Sequence, residues 1–162
     1  MVISYRLPTR LQRFASMPRT RKQLLAESSF FLLRAAWLVR RRPFRTYAPG
    51  LGVLHPGEFI DMANDPPSAD SLLEVSWALK RVNRAAGGRF TCLMLAMSGQ
   101  RLLNRRGYAA TLVLGVRPDG GVGDDPFGAH AWLRAGDQVV IGREEQSGHT
   151  AVASYHSTPQ VR

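Results

Sequence analysis

The chain has 162 residues, 44% of them hydrophobic and 21% charged, with 22 Lys and Arg against 12 Asp and Glu for a formal net charge of +10. That length suits one domain with a real core, and the composition excludes a disordered or low-complexity chain. The single cysteine, Cys92, excludes an internal disulfide and a zinc site of the usual multi-cysteine kind, and agrees with a reducing, cytoplasmic compartment.

The charge is unevenly placed. Residues 1–45 hold 11 of the 22 basic residues (Arg6, Arg10, Arg13, Arg19, Arg21, Lys22, Arg34, Arg40, Arg41, Arg42 and Arg45) and one acid, Glu27, so the whole excess belongs to this segment. An apolar run from Leu24 to Val39 follows its first basic cluster. The run starts too late for a signal peptide and has no small-residue cleavage site behind it. It carries Glu27 and Arg34 and falls short of the roughly 20 apolar residues a membrane span needs. Nucleic-acid binding lacks support, because Phe30, Phe31 and Trp37 lie inside the apolar run and are not interleaved with arginines. The pattern predicts an amphipathic or largely buried helix from Arg21 to Arg41, with Leu24, Phe31, Leu32, Ala35, Leu38 and Val39 on one face and Pro43 ending it. Its basic side remains open to an acidic partner or to peripheral contact with a membrane interface.

Residues 46–70 read as a connector rich in Pro, Gly, Asn and Asp, with a short apolar patch at Phe59, Ile60 and Met62 predicted to pack on the core. His55 reads as structural or exposed, and Asp65 and Asp70 as turn and cap residues, not a metal pair. A second helix is predicted over Ser71–Ala86, capped by Asp70 or Ser71, with Leu72, Leu73, Val75, Ala78, Leu79 and Val82 inward. These segments divide the chain into a basic helical extension and connector, 1–69, and a core, 70–162.

Gly87 and Gly88 end the second helix, and Thr91 is placed to cap a third that opens at Cys92. A thiol in a first helical turn meets unpaired backbone N–H groups and the positive end of the helix dipole, both of which favour a thiolate and suit an oxyanion. From Tyr108 to Val116 the pattern turns strand-like. After a Gly/Asp loop from Arg117 to Pro126, residues 127–135 read as a strand whose alternation puts Gly128, His130, Trp132 and Arg134 on one face. Gly136-Asp137 is a hairpin turn returning through Gln138 to Ile141. A cysteine at a helix start and a histidine on the strand packed against it are what a thiol–imidazole pair requires. Past Ile141, Arg143 to Gly148 reads as a loop and Thr150 to Ser154 as a further strand at the sheet edge. His149 and His156 rank below His130 as bases, because their surroundings are polar and terminal. A lone cysteine is more often a small buried hydrophobe, a lone strand histidine is more often structural, and Trp132 reads first as core.

The order of the block tips that balance. Thr91-Cys92-Leu93 opening a helix, the run Arg101 to Gly107 closing it, the strand Ala110 to Val116 and the segment Phe127 to Trp132 together resemble the transglutaminase-like core of the lasso-peptide biosynthesis B2 proteins, over about residues 70–145. The resemblance implies an α+β fold of papain-like and transglutaminase-like type. It implies a cysteine leader peptidase with Cys92 as nucleophile and His130 as general acid and base, acting without a cofactor through a thioester. The implied substrate is a ribosomally made leader–core precursor, with a separate leader-recognition protein and a separate ring-closing cyclase as partners. The family pattern also places an orienting Asp near the position of Gly142. Asp137 and Glu144 are the candidate substitutes, with Asp137 preferred although it reads equally well as an ordinary turn residue; a Cys–His dyad also works without a third group. Two other functions remain open: a non-catalytic basic module for an anionic partner, and a transamidase in which an amine captures the thioester.

Overall fold

The computed structural model describes residues 15–62, 67–117 and 128–159. In chain order the elements are α1 (Arg19–Arg41), α2 (Phe44–Tyr47), a 3-10 turn (Ala48–Leu51), β1 (Val53–Pro56), α3 (Ala69–Ala85), α4 (Cys92–Arg105), β2 (Ala110–Val116), β3 (His130–Ala135), β4 (Gln138–Ile141), α5 (Arg143–Gln146) and β5 (Thr150–Ser157). The fold is α+β: α3 and α4 pack on one face of a five-stranded sheet of order β1-β5-β2-β3-β4, every neighbouring pair antiparallel, and α1 packs over these two helices.

The N-terminal helix belongs to this core. Leu24, Ser28, Leu32, Ala35 and Ala36 recur at helical spacing along α1 and are all buried, the stripe expected of a helix lying on other elements. It packs on both α3 and α4, while Phe30, Leu33 and Trp37 on its other side are 62%, 65% and 54% exposed. Two polar ties fix its place: Arg21 Nε donates to Glu74 of α3 at 3.0 Å, and Arg106 Nη2 donates to Glu27 at 2.7 Å. Arg40 and Arg41 in the last turn face its partly negative end.

Helix α4 lies close against the sheet because Gly99 carries no side chain. A Cβ there would fall 2.6 Å from Leu133 Cδ2 and 3.3 Å from Leu79 Cδ1, so any side chain at this position must displace those leucine methyls for α4 to seat this deeply between α3 and β3. Ala131, Leu133 and Ala135 of β3 join that core. Trp132 and Arg134 turn to the other face, where the segment after β1 covers them. There Glu58 Oε1 accepts from Trp132 Nε1 at 2.9 Å, Arg134 Nη1 at 2.7 Å and Gln146 Nε2 at 3.4 Å.

Several expectations are corrected. Strand β5 runs from Thr150 to Ser157 and lies between β1 and β2, inside the edge; β1, read as part of a connector, is the edge strand. It is only four residues long and ends in Pro56, a residue that an edge tolerates and a central strand does not. The segment after Gly142 forms a helical turn, α5, and not a loop. The cap of α3 is Ser68, whose side chain accepts from Ser71 N. Of the apolar patch, Phe59 stacks on His55 with ring centroids 4.1 Å apart, but Ile60 and Met62 are 42% and 78% exposed. Asp65 lies outside the described residues.

Candidate active site

Cys92 is the first residue of α4, half-buried. Thr91 caps the helix as its sequence position predicts: its Oγ1 accepts from Met94 N at 3.4 Å, and its carbonyl accepts from Leu95 N at 3.0 Å. The N–H groups of Cys92 and Leu93 remain, and by their position in the first turn they have no intrahelical acceptor. The approach to the cap is held from α3. Asn83 Oδ1 accepts from Phe90 N at 3.0 Å, its Nδ2 donates to Phe90 O at 3.3 Å, and Gly88 N donates to Asn83 O at 2.9 Å. One side-chain amide thus anchors the chain two residues before the thiol.

His130 opens β3 and is 6% exposed. Its Nε2 lies 3.2 Å from Gly142 O. The ring stacks near Trp132 (centroids 6.0 Å apart, planes at 21°) and is tilted against His149 at 5.1 Å.

The packing places Cys92 and His130 at one end of the helix–sheet layer. Gly99 sits over Leu133. Beyond it, Gln100 Nε2 donates to Tyr155 O at 2.9 Å and Ala110 O at 3.3 Å, and Asn104 Nδ2 to Ser157 O at 3.0 Å. The C-terminal half of α4 therefore points to the end of the sheet where β2 begins. Its N-terminal half points to the other end, where Gly115 pairs with His130. Cys92 lies seven residues before Gly99, about 10 Å along a helix, and His130 lies three residues before Leu133, about 10 Å along a strand. A second route agrees: Gly142, the partner of His130, is followed by Glu144, which accepts from Lys80 of α3 at 2.8 Å, and one turn further along α3 is Asn83. His130 shares the face of Trp132, turned from α4, and as the first residue of its strand it lies at the end of the sheet.

The structure does not bring Asp137 to His130. Asp137 is exposed in the turn at the opposite end of β3, six strand residues or about 20 Å away, and its backbone oxygen accepts from Arg134 Nη2 at 2.7 Å. Glu144 is nearer, two residues past Gly142. Its carboxylate is engaged by Lys80, and that hydrogen bond holds its pKa below the ordinary value. At the position where the resemblance calls for an acid, the Gly142 carbonyl meets the imidazole. Gly142 has φ +84°, and a Cβ there would fall 2.9 Å from His130 Nε2. A backbone partner leaves no mark in the residue types, so sequence reasoning missed it. His149 was also missed as a neighbour of His130; with β5 paired beside β2, Thr150 opposite Val116, the start of β5 reaches this same end. His156 lies toward the other end, its Nδ1 3.0 Å from Thr111 Oγ1 and its Nε2 3.4 Å from Asp61. Among the described residues no three His, Cys, Asp or Glu are grouped to hold a metal ion.

Residues 29–154 match the Transglutaminase-like superfamily. The chain belongs to that superfamily. The match runs from the middle of α1 into β5 and spans Cys92, His130 and the sheet between them. A transglutaminase-like domain of mixed helices and antiparallel sheet fits the fold of cysteine peptidases and transamidases, enzymes that form and resolve a thioester. No curated protein and no solved structure matches the chain. Among the described residues no helix of this transglutaminase-like protein is long and apolar enough to cross a membrane.

Proposed function

We propose that this protein is a cysteine peptidase that removes the leader from a ribosomally made lasso-peptide precursor. The observation that supports this most is Cys92 at the capped start of α4, at the same end of a transglutaminase-like domain as the buried His130. The Cys92 thiolate attacks the scissile carbonyl carbon, and the N–H groups of Cys92 and Leu93 hold the oxyanion. The tetrahedral intermediate collapses to a thioester as His130 gives its proton to the leaving amine. His130 then takes a proton from water, whose oxygen attacks the thioester and returns the thiol. With Nε2–H donating to Gly142 O, Nδ1 is the proton-accepting nitrogen of the imidazole. The carbonyl so fills the orienting role of an acid, and neither Asp137 nor Glu144 is needed for it. The partners under this reading are the precursor, a separate leader-recognition protein and a lasso cyclase.

Two other readings share these residues. Transamidation differs only in the nucleophile that resolves the thioester. A basic binding module is favoured by Phe30, Leu33 and Trp37, exposed on α1, the helix that also carries Arg34, Arg40 and Arg41; salt-sensitive binding to anionic vesicles that persists in Cys92→Ala supports it. Product masses decide between the first two. Leader–core peptide incubated with the protein and an added primary amine yields a free leader carboxylate under hydrolysis. A leader amide as the main product overturns the peptidase assignment in favour of transfer.

A further inference from the structure

A cavity of about 200 Å³ opens between α1, the 3-10 turn and the middle of α4. Its walls include Phe31, Leu38, Leu51 and Met97, and two guanidinium groups, Arg34 and Arg101, line it with no carboxylate among the lining residues. Acidic partners exist elsewhere on the same helix, since Arg105 and Arg106 both pair with Glu27. Arg101 is half-buried, and its side chain donates to Gly50 O at 2.5 Å, which uses one of the five N–H donors of a guanidinium. Arg34 has no acidic partner among the described ion pairs. Arg34 is exposed at the cavity rim and Arg101 is half-buried, so water screens part of their mutual repulsion and an anion between them would relieve the rest. Burial first, and Arg34 second, lower the pKa of Arg101 from its ordinary value. Cys92 is nine residues back along α4, about 13 Å, so the cavity is separate from the thiol.

We infer that this cavity is a binding site for a small free carboxylate carried on an apolar group, its carboxylate bridging Arg34 and Arg101 and its hydrocarbon part lying against Phe31, Leu38 and Met97. A planar guanidinium fork matches a carboxylate in two parallel hydrogen bonds. The volume is below the roughly 300–1,000 Å³ of sites for drug-sized ligands and cofactors, which excludes nucleotides and coenzymes. The apolar walls exclude inorganic phosphate as the natural fit. This site stands apart from the peptidase reading and does not depend on it.

The test is calorimetric titration of the full chain with octanoate, octanol, inorganic phosphate and an acidic peptide. Octanoate is expected to bind saturably, and Arg34→Gln to weaken it about tenfold or more, as loss of a charge-assisted hydrogen bond does. Octanol and phosphate are expected to bind at least tenfold more weakly than octanoate, and Arg34→Lys to recover part of the affinity. Arg101→Gln should act likewise, but it also breaks the Gly50 contact, so Arg34 decides the outcome. Equal binding of octanol, tighter binding of phosphate or of the peptide, or octanoate binding unchanged in Arg34→Gln would overturn the site.

Discussion

The imidazole of His130 is held by a main-chain carbonyl: its Nε2 lies 3.2 Å from Gly142 O, and Gly142 adopts φ +84° to present it. A carbonyl fixes the tautomer of a neutral imidazole as an acid would, but it offers no full charge to the imidazolium. It also ties the position to glycine. In Gly142→Ala the new Cβ would fall 2.9 Å from His130 Nε2 and 3.0 Å from Trp132 Cβ, on a left-handed backbone that costs a non-glycine residue about 1–2 kcal/mol. The variant is expected to melt lower and, under the proposed peptidase reading, to lose most activity. A variant with wild-type rates would show that the carbonyl does not position His130.

Asn83 is expected to act on Cys92 through Phe90, two residues before the thiol. Its side chain makes both hydrogen bonds that hold Phe90 to α3. Asn83→Leu leaves a half-buried N–H and C=O without partners, at a cost of about 1–3 kcal/mol. Slower alkylation or acylation of Cys92 in a variant that is still folded by circular dichroism is the expected result. Loss of stability with unchanged Cys92 reactivity would confine Asn83 to a structural role.

On the sheet's other face, Glu58 is the acceptor for two buried groups, Trp132 Nε1 and Arg134 Nη1. The Arg134 side chain is 10% exposed and that of Glu58 26%. Removing the acid leaves the buried cation with the Asp137 carbonyl as its remaining partner, a change bounded above by the cost of about 3–5 kcal/mol in fully buried pairs. Glu58→Ala should therefore lower stability to urea within that bound, and Glu58→Gln by less, since the amide oxygen still accepts. A loss under 1 kcal/mol in the alanine variant would contradict the assigned network.

How much of this was legible in sequence follows from what each feature is made of. The buried stripe of α1, the Thr91 cap and the hairpin at Gly136-Asp137 are periodicities and residue types, and the structure shows them near the expected positions. Gly142 was read as the place of an absent acid, because residue type does not reveal what a carbonyl does. The edge strand β1 was hidden by its shortness and by Pro56. Its partner β5 was placed at the edge for the same reason, and with it went the nearness of His149 to His130. Asp137 was preferred as a substitute for the family's acid while reading equally well as an ordinary turn residue, and a turn residue at the far end of a straight strand does not return to the strand's first residue.

His156 carries a pH signature. Burial is the main cause that lowers its pKa from the ordinary 6.5; nearby Asp61 opposes the shift and His55 adds to it. Below about pH 6.5 the unfolded chain takes up a proton that folded His156 resists. The stability due to this group is whole above that pH and is lost as pH falls through the folded value. Denaturant melts of wild type are expected to weaken between about pH 7 and pH 5, and those of His156→Gln to weaken less. Parallel pH curves for the two proteins would exclude this group as the source.

The most direct measurement is mass spectrometry of a leader–core precursor incubated, with a candidate leader-recognition protein, with wild type, Cys92→Ala, His130→Ala or Asp137→Asn. The account predicts cleavage at one bond by wild type, none in Cys92→Ala, severe loss in His130→Ala and near-normal cleavage in Asp137→Asn. Cleavage that survives Cys92→Ala, or no cleavage of any precursor by folded wild-type protein, would contradict it.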